Sequence, residues 1–229
     1  MAKLPILILI VFLLISSILF LYFFLNFKNL DVDTYNGVGN HNVGNNELDP
    51  NSLTDNVQEK KDKNSKYSPP IDDFKERVTK KNFGVYITPK TSPVQPEKFM
   101  GYHAGVDFET FSEEKDRIIE VLAFCEGKIE EKKYVNGYGG VLVESCQIEG
   151  VSATVLYGHL SLGSVKKTKG DKLTKGETIG ILGKGFSLET DGERKHLHLS
   201  IRKGERIDFR GYVSSKKELE NWIDPLTLL

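Results

Sequence analysis

The chain has 229 residues, enough for one or two domains, with 31 Lys and Arg against 32 Asp and Glu and a formal net charge of −1. That balance, with lysines scattered rather than clustered, leaves no basic stripe for nucleic acid. Two cysteines exclude a disulfide-dense scaffold, and no phosphate loop, heptad pattern or 20–50-residue repeat is present.

The first 28 residues differ from all that follows. Pro5 to Leu25, "PILILIVFLLISSILFLYFFL", carries no charge. As a helix it would extend roughly 31 Å at ~1.5 Å per residue, which matches the hydrocarbon core of a bilayer. A secretory signal has a shorter apolar core and a small-residue cleavage site. The only small pair here, Ser16-Ser17, lies in mid-run, so residues 1–28 are expected to be an uncleaved membrane anchor. Lys3 and Lys28 flank the run and hardly bias its orientation.

Residues 29–70 are rich in Asn, Asp, Gly, Ser and Lys and poor in large apolar residues. Such a segment cannot bury enough surface to offset its ordering entropy, and it is expected to be a polar tether. Forty flexible residues would reach roughly 35 Å. His41, the first of five histidines, reads as a solvated tether residue.

From residue 71 to 229 the pattern predicts one mostly β domain. Short runs rich in Val, Ile, Tyr and Phe alternate with glycine-bearing turns: "GGVLVESC", "VSATVLYGHLS", "ETIGILG", "HLHLSIR". Cys125 and Cys146 flank an expected hairpin around "NGYGG" and would fall near opposite positions on its two strands. A disulfide and a pair of small buried hydrophobes are both open readings there. Near the end, "SSKKELENWIDP" predicts a short helix. Ser215 and Glu218 have capping-box spacing, Leu219, Trp222 and Ile223 share one helical face, and Pro225 is the stop.

The remaining four histidines lie in this domain. His196 and His198, in "HLHLS", are two apart, so on a strand they share one face. A built site and a solvent-facing polar stripe both fit that spacing. His103 and Asp107 are four apart with Gly105 between, and His159 stands in "LYGHLS". A catalytic zinc takes three protein ligands and keeps a fourth position open. His103 and Asp107 could not share a metal along a straight strand, where four residues span about 13 Å. The chain is therefore expected to bend at Gly105, by a bulge or tight turn. A histidine from an adjacent strand would complete the set. A His–Asp–His donor set suits Zn²⁺ better than Mg²⁺ or Ca²⁺.

Taken in order, "HAGVD", "YGHLS" and "HLH" resemble the signature of the lysostaphin-type (LytM-like) zinc endopeptidases of bacterial cell walls. The flanking segments extend the resemblance: "VTKKNFGVYITP", "VLAFCEGKIEE", "TKGDKLTKGETIGILGKG" and the terminal "IDPLTLL". It covers about Val78 to Leu229. The resemblance implies an antiparallel β-sheet groove of the duplicated hybrid motif, barrel-sandwich type, with one zinc on its floor held by His103, Asp107 and His198. His159 and His196 would be the non-ligating catalytic pair. It also implies peptidoglycan peptides as substrate, an extracytoplasmic domain, and residues 5–25 crossing the plasma membrane with the amino terminus inside. One segment departs from the family. "GKGFSLETDGERKHLHLSI" has a longer, charged loop before the two histidines and Ser200 where Glu is common. Two other readings share these features. One is a non-hydrolytic wall-binding or activating module using the same groove; the other is a lipoyl- or phosphocarrier-like domain, whose cytoplasmic chemistry an external domain could not meet.

Overall fold

The structure, a computed structural model, describes residues 65–229. The expected anchor, His41 and nearly all of the expected tether lie outside the described residues. Among the described residues no helix is long and apolar enough to cross a membrane. Packing begins earlier than the pattern at residue 71 predicts. Tyr67 is buried and stacks on Phe124 with ring centroids 5.2 Å apart, so the last residues of the expected tether belong to the domain.

The mostly β, antiparallel expectation holds. Strands β1 (Tyr86–Ile87) and β2 (Gly101–His103) pair with β11 (Tyr212–Val213) in a small sheet. Strands β4 (Glu120–Leu122) and β9 (Thr178–Ile181) form a second pair. The main sheet has seven strands. Six run in the order β12 (Trp222–Ile223), β10 (His196–Lys203), β7 (Val151–Gly158), β6 (Gly139–Ile148), β5 (Gly127–Val135) and β8 (Lys172–Leu173). The seventh, β3 (Val106–Glu109), pairs with the first half of β10.

Leu197, Leu199 and Ile201 on one face of β10 pack with Phe108 and Tyr157 in the main core, all at or near zero exposure. The apolar run of β6 does not alternate, because both of its faces are covered. Leu142 joins the main core, while Val141 and Val143 join a smaller cluster with Tyr138 and Leu156.

The terminal helix is shorter than the sequence predicts. Helix α1 is one turn, Lys216–Leu219, with the Ser215 hydroxyl accepting from the Glu218 amide at 3.2 Å. Trp222 and Ile223, expected on a helical face, form β12 instead and pair with Arg202 and Ile201 of β10. Tertiary pairing with an open strand edge overrides a local periodicity that covers barely two turns.

Cys125 and Cys146 are joined by a disulfide. They are not directly opposed: Gly127 faces Cys146 in the ladder, and Cys125 lies just before β5. The bond closes a sequence separation of 21 residues, for which chain entropy gives about 3 kcal/mol. The double variant Cys125→Ala/Cys146→Ala should therefore lose about 2–4 kcal/mol in urea unfolding, and equal stability would contradict this.

Glu144 faces the main core beside this bridge and is fully buried. Its Oε2 accepts from the Tyr157 hydroxyl at 2.6 Å, and burial pushes its carboxyl up to about 7. The folded state then keeps a proton that unfolded Glu releases near pH 4.5, so stability is full below that value and is lost as pH rises through about 7. The loss is on the order of 3 kcal/mol. Glu144→Gln should flatten the fall in unfolding free energy between pH 5 and pH 8; an unchanged slope would assign it to another group.

Candidate active site

His103 ends β2 and Asp107 lies in β3, with the bend at Ala104-Gly105 between the two strands. Gly105 is needed for close approach rather than for a left-handed backbone. A Cβ there would lie 2.5 Å from the Leu199 carbonyl oxygen and 2.7 Å from His198 Nε2. In the β3–β10 ladder His198 stands directly opposite Asp107, and His196 opposite Glu109. His159 follows the last residue of β7 with φ +64°, a left-handed conformation uncommon for a residue with a Cβ. All five side chains are buried and line one cleft of about 280 Å³.

Three atoms converge on a point. His103 Nε2 is 3.2 Å from His198 Nδ1 and 3.4 Å from Asp107 Oδ1, and His198 Nδ1 is 3.0 Å from Asp107 Oδ1. The outer atoms of both rings fix which nitrogen is free. A carbonyl can only accept, so His103 Nδ1 donates to the Asn82 carbonyl oxygen at 3.1 Å, leaving the Nε2 lone pair facing inward. His198 Nε2 meets the Tyr138 hydroxyl at 3.3 Å. With its proton there, the Nδ1 lone pair also faces inward. Burial pushes the His198 imidazole down to about 4, so the ring is neutral at neutral pH. Burial acts to raise the Asp107 carboxyl, but His196 and His103 outweigh it and hold it well below the usual range.

With the outer ring atoms so engaged, two imidazole nitrogens and one carboxylate oxygen have lone pairs aimed at one another. Donors at about 2.1 Å from a tetrahedral ion lie about 3.4 Å apart, close to the separations found here. The donor set therefore fits a zinc-sized cation. Among the described residues this is the cluster of His, Cys, Asp and Glu that meets such spacing.

The other two histidines stand beside this set. The His196 and His159 ring centroids are 4.2 Å apart. His196 Nδ1 donates to the Arg194 carbonyl at 2.9 Å, which turns its Nε2 toward Asp107 Oδ2 at 3.4 Å. His159 Nδ1 is buried with no hydrogen-bond partner among the described residues. Burial, with His196 beside it, holds the His159 imidazole well below its ordinary range. A neutral ring with an uncommitted buried nitrogen can take a proton from a reacting group.

Several residues of the cleft carry no sequence signal. Tyr138 is fixed over His198 because Gly158 and Gly211 leave it room; a Cβ on Gly211 would lie 2.6 Å from the phenol oxygen. Lys81 is buried, pairs with Glu97 and donates to the Tyr212 hydroxyl at 3.0 Å, while its carbonyl accepts from the Asp107 amide. Arg194 lies over Asp107 and Glu109. Only the i, i+2 spacing of Asp107 and Glu109 could have suggested that these two carboxylates share a face.

Residues 101–209 match the family model described as Peptidase family M23. A curated relative, Endolysin 2638A of Staphylococcus phage 2638A, is 26% identical over 157 residues, covering 63% of this chain and 32% of the endolysin. The chain thus matches about a third of that relative's length. Similar solved structures include the catalytic domain of the antimicrobial peptidase lysostaphin from Staphylococcus simulans, at 23% identity and TM-score 0.43, covering 64% of this chain and 86% of that one. LytU is also 23% identical with TM-score 0.43, covering 67% and 90%. The SpoIIIAH–SpoIIQ complex contains a chain 20% identical with TM-score 0.46, covering 71% and 99%.

Proposed function

We propose that the chain is a membrane-anchored zinc endopeptidase that hydrolyses peptide bonds of peptidoglycan. The observation that carries this reading is the inward convergence of His103 Nε2, Asp107 Oδ1 and His198 Nδ1 beside a second, uncoordinated pair of histidines in one cleft. A non-hydrolytic wall-binding module has no need of that second pair. Zinc held by His103, Asp107 and His198 would supply a Lewis acid for a carbonyl and bring the pKa of water near 7.

The chain's own residues do the rest. His159 is neutral and receives a proton at its free ring nitrogen, then returns it to the leaving amine. His196 keeps its Nδ1–H on the Arg194 carbonyl, and with a second proton on Nε2 it would donate to the substrate oxygen where negative charge develops. Tyr138 keeps the His198 proton on Nε2, and the Asn82 carbonyl keeps that of His103 on Nδ1. The apolar rim at Phe99 and Met100 gives an extended peptide a partly dry wall.

The test is digestion of purified peptidoglycan by the full chain in detergent, with and without zinc, followed by mass analysis of the fragments. New amino termini that depend on zinc are the expected result. Binding to the wall material without new termini would point to the non-hydrolytic module instead. For the anchor, external protease added to spheroplasts should remove the β domain, and full protection of that domain would place it on the inner side.

A further inference from the structure

Arg194 stands two residues before His196, in the charged loop where the chain departs from the pattern it otherwise resembles. Its side chain is only 11% exposed. Nη2 donates to Asp107 Oδ2 at 2.9 Å. Nε donates to both oxygens of Glu109, at 3.0 and 2.8 Å, and Nη2 also reaches Glu109 Oε1. Glu109 is itself buried and takes a second cation, Lys80, at 3.2 Å. Asp107 and Glu109 are two apart on β3, so both carboxylates face the same way and one guanidinium spans them.

The two oxygens of Asp107 thus have separate duties. Oδ1 faces His103 and His198, while Oδ2 faces Arg194. The terminal torsion of an aspartate is broad and nearly two-fold, so packing alone does not choose which oxygen points where. His196 Nε2 also faces Oδ2 but at 3.4 Å, beyond a normal N–H···O distance. A lone guanidinium so close to a cation site would repel the cation. Glu109 neutralises it and also fixes its plane.

We propose that Arg194, clamped by Glu109, is a positioning residue that presents Asp107 to the proposed cation site through Oδ1 alone. The inference rests on the reading of His103, Asp107 and His198 as ligands. It requires the fork of arginine, since a lysine ammonium supplies the charge but cannot bridge two carboxylates in one plane.

The experiment measures zinc affinity of the full chain in detergent by competition with a chromophoric chelator. Arg194→Ala, Arg194→Lys and Glu109→Gln are compared with the unaltered chain, and near-UV circular dichroism of each metal-free protein checks folding. Arg194→Lys should weaken zinc about 10- to 100-fold, the range for residues that orient a metal ligand. Glu109→Gln should weaken it as well. The double variant Arg194→Lys/Glu109→Gln should be little worse than either single one, because each breaks the same clamp. If Arg194→Ala fails to fold, the lysine and glutamine variants still decide. Unchanged affinity in a folded Arg194→Lys protein, tighter zinc in folded Arg194→Ala, or additive losses in the double variant would each overturn the proposal. Absence of zinc binding by the unaltered chain would instead defeat the ligand reading, and the positioning role with it.

Discussion

Asp107→Ala should leave the purified chain with little or no zinc and with peptide hydrolysis at background. Asp107 supplies the one anionic donor of the converging set, and Ala offers no lone pair in its place. Its loss also removes the acceptor for Arg194, leaving a buried guanidinium that depends on Glu109 alone. His103→Ala and His198→Ala should behave in the same way, since each contributes one inward nitrogen. In the unaltered chain, zinc would tie β2, β3 and β10 together, so the metal-free protein should unfold at a lower temperature than the zinc-loaded one. Elemental analysis beside thermal unfolding checks both statements. Near-stoichiometric zinc in Asp107→Ala would remove that residue from the ligand set.

His159→Ala should separate the two roles. The ring contributes no atom to the converging set, so zinc should stay near one per chain while kcat falls on the order of 10²-fold or more. KM should change little, because a proton acceptor works mainly in the transition state. The left-handed backbone at His159 does not require the imidazole, and alanine there meets a similar strain. His196→Ala should follow the same pattern. If either variant loses its zinc while Asp107→Ala keeps it, the assignment of ligands and catalytic groups is inverted.

The charged loop before His196 is where sequence and structure differ most in what they offer. From composition, "KGFSLETDGERK" reads as a polar insertion of uncertain use. In the fold it is closed by its own turns: Ser187 accepts from the Glu189 amide, and Asp191 accepts from the Gly137 amide at 2.7 Å, which ties the loop to the hairpin turn opposite. That tie sets Glu193 and Arg194 into the cleft. Neither residue could be singled out beforehand, because a charge run on a strand-connecting loop is usually solvated. Arg77 is a parallel case: an arginine with no exposed surface, held by Asp72 and Glu114 behind β3. Its burial depends on two carboxylates brought in from different elements.

The sequence by itself determined the antiparallel β character, the hairpin around "NGYGG" and the candidate histidines with Asp107. Each follows from a local rule: apolar runs of strand length, glycine at turns, and donors spaced so that a bend or a shared strand face brings them together. The tertiary structure alone decided that Trp222 and Ile223 extend a sheet rather than a helix. It also decided that Gly105, at the expected bend, is needed for close approach to Leu199 and His198, and that Tyr67 belongs to the core. It supplied the groups that surround the candidate ligands, namely Tyr138, the Asn82 carbonyl, Glu109 and Arg194. The physical reason is common to all of these. Each depends on which free strand edge or buried lone pair a residue meets from a distant part of the chain, and short-range spacing carries no record of that partner.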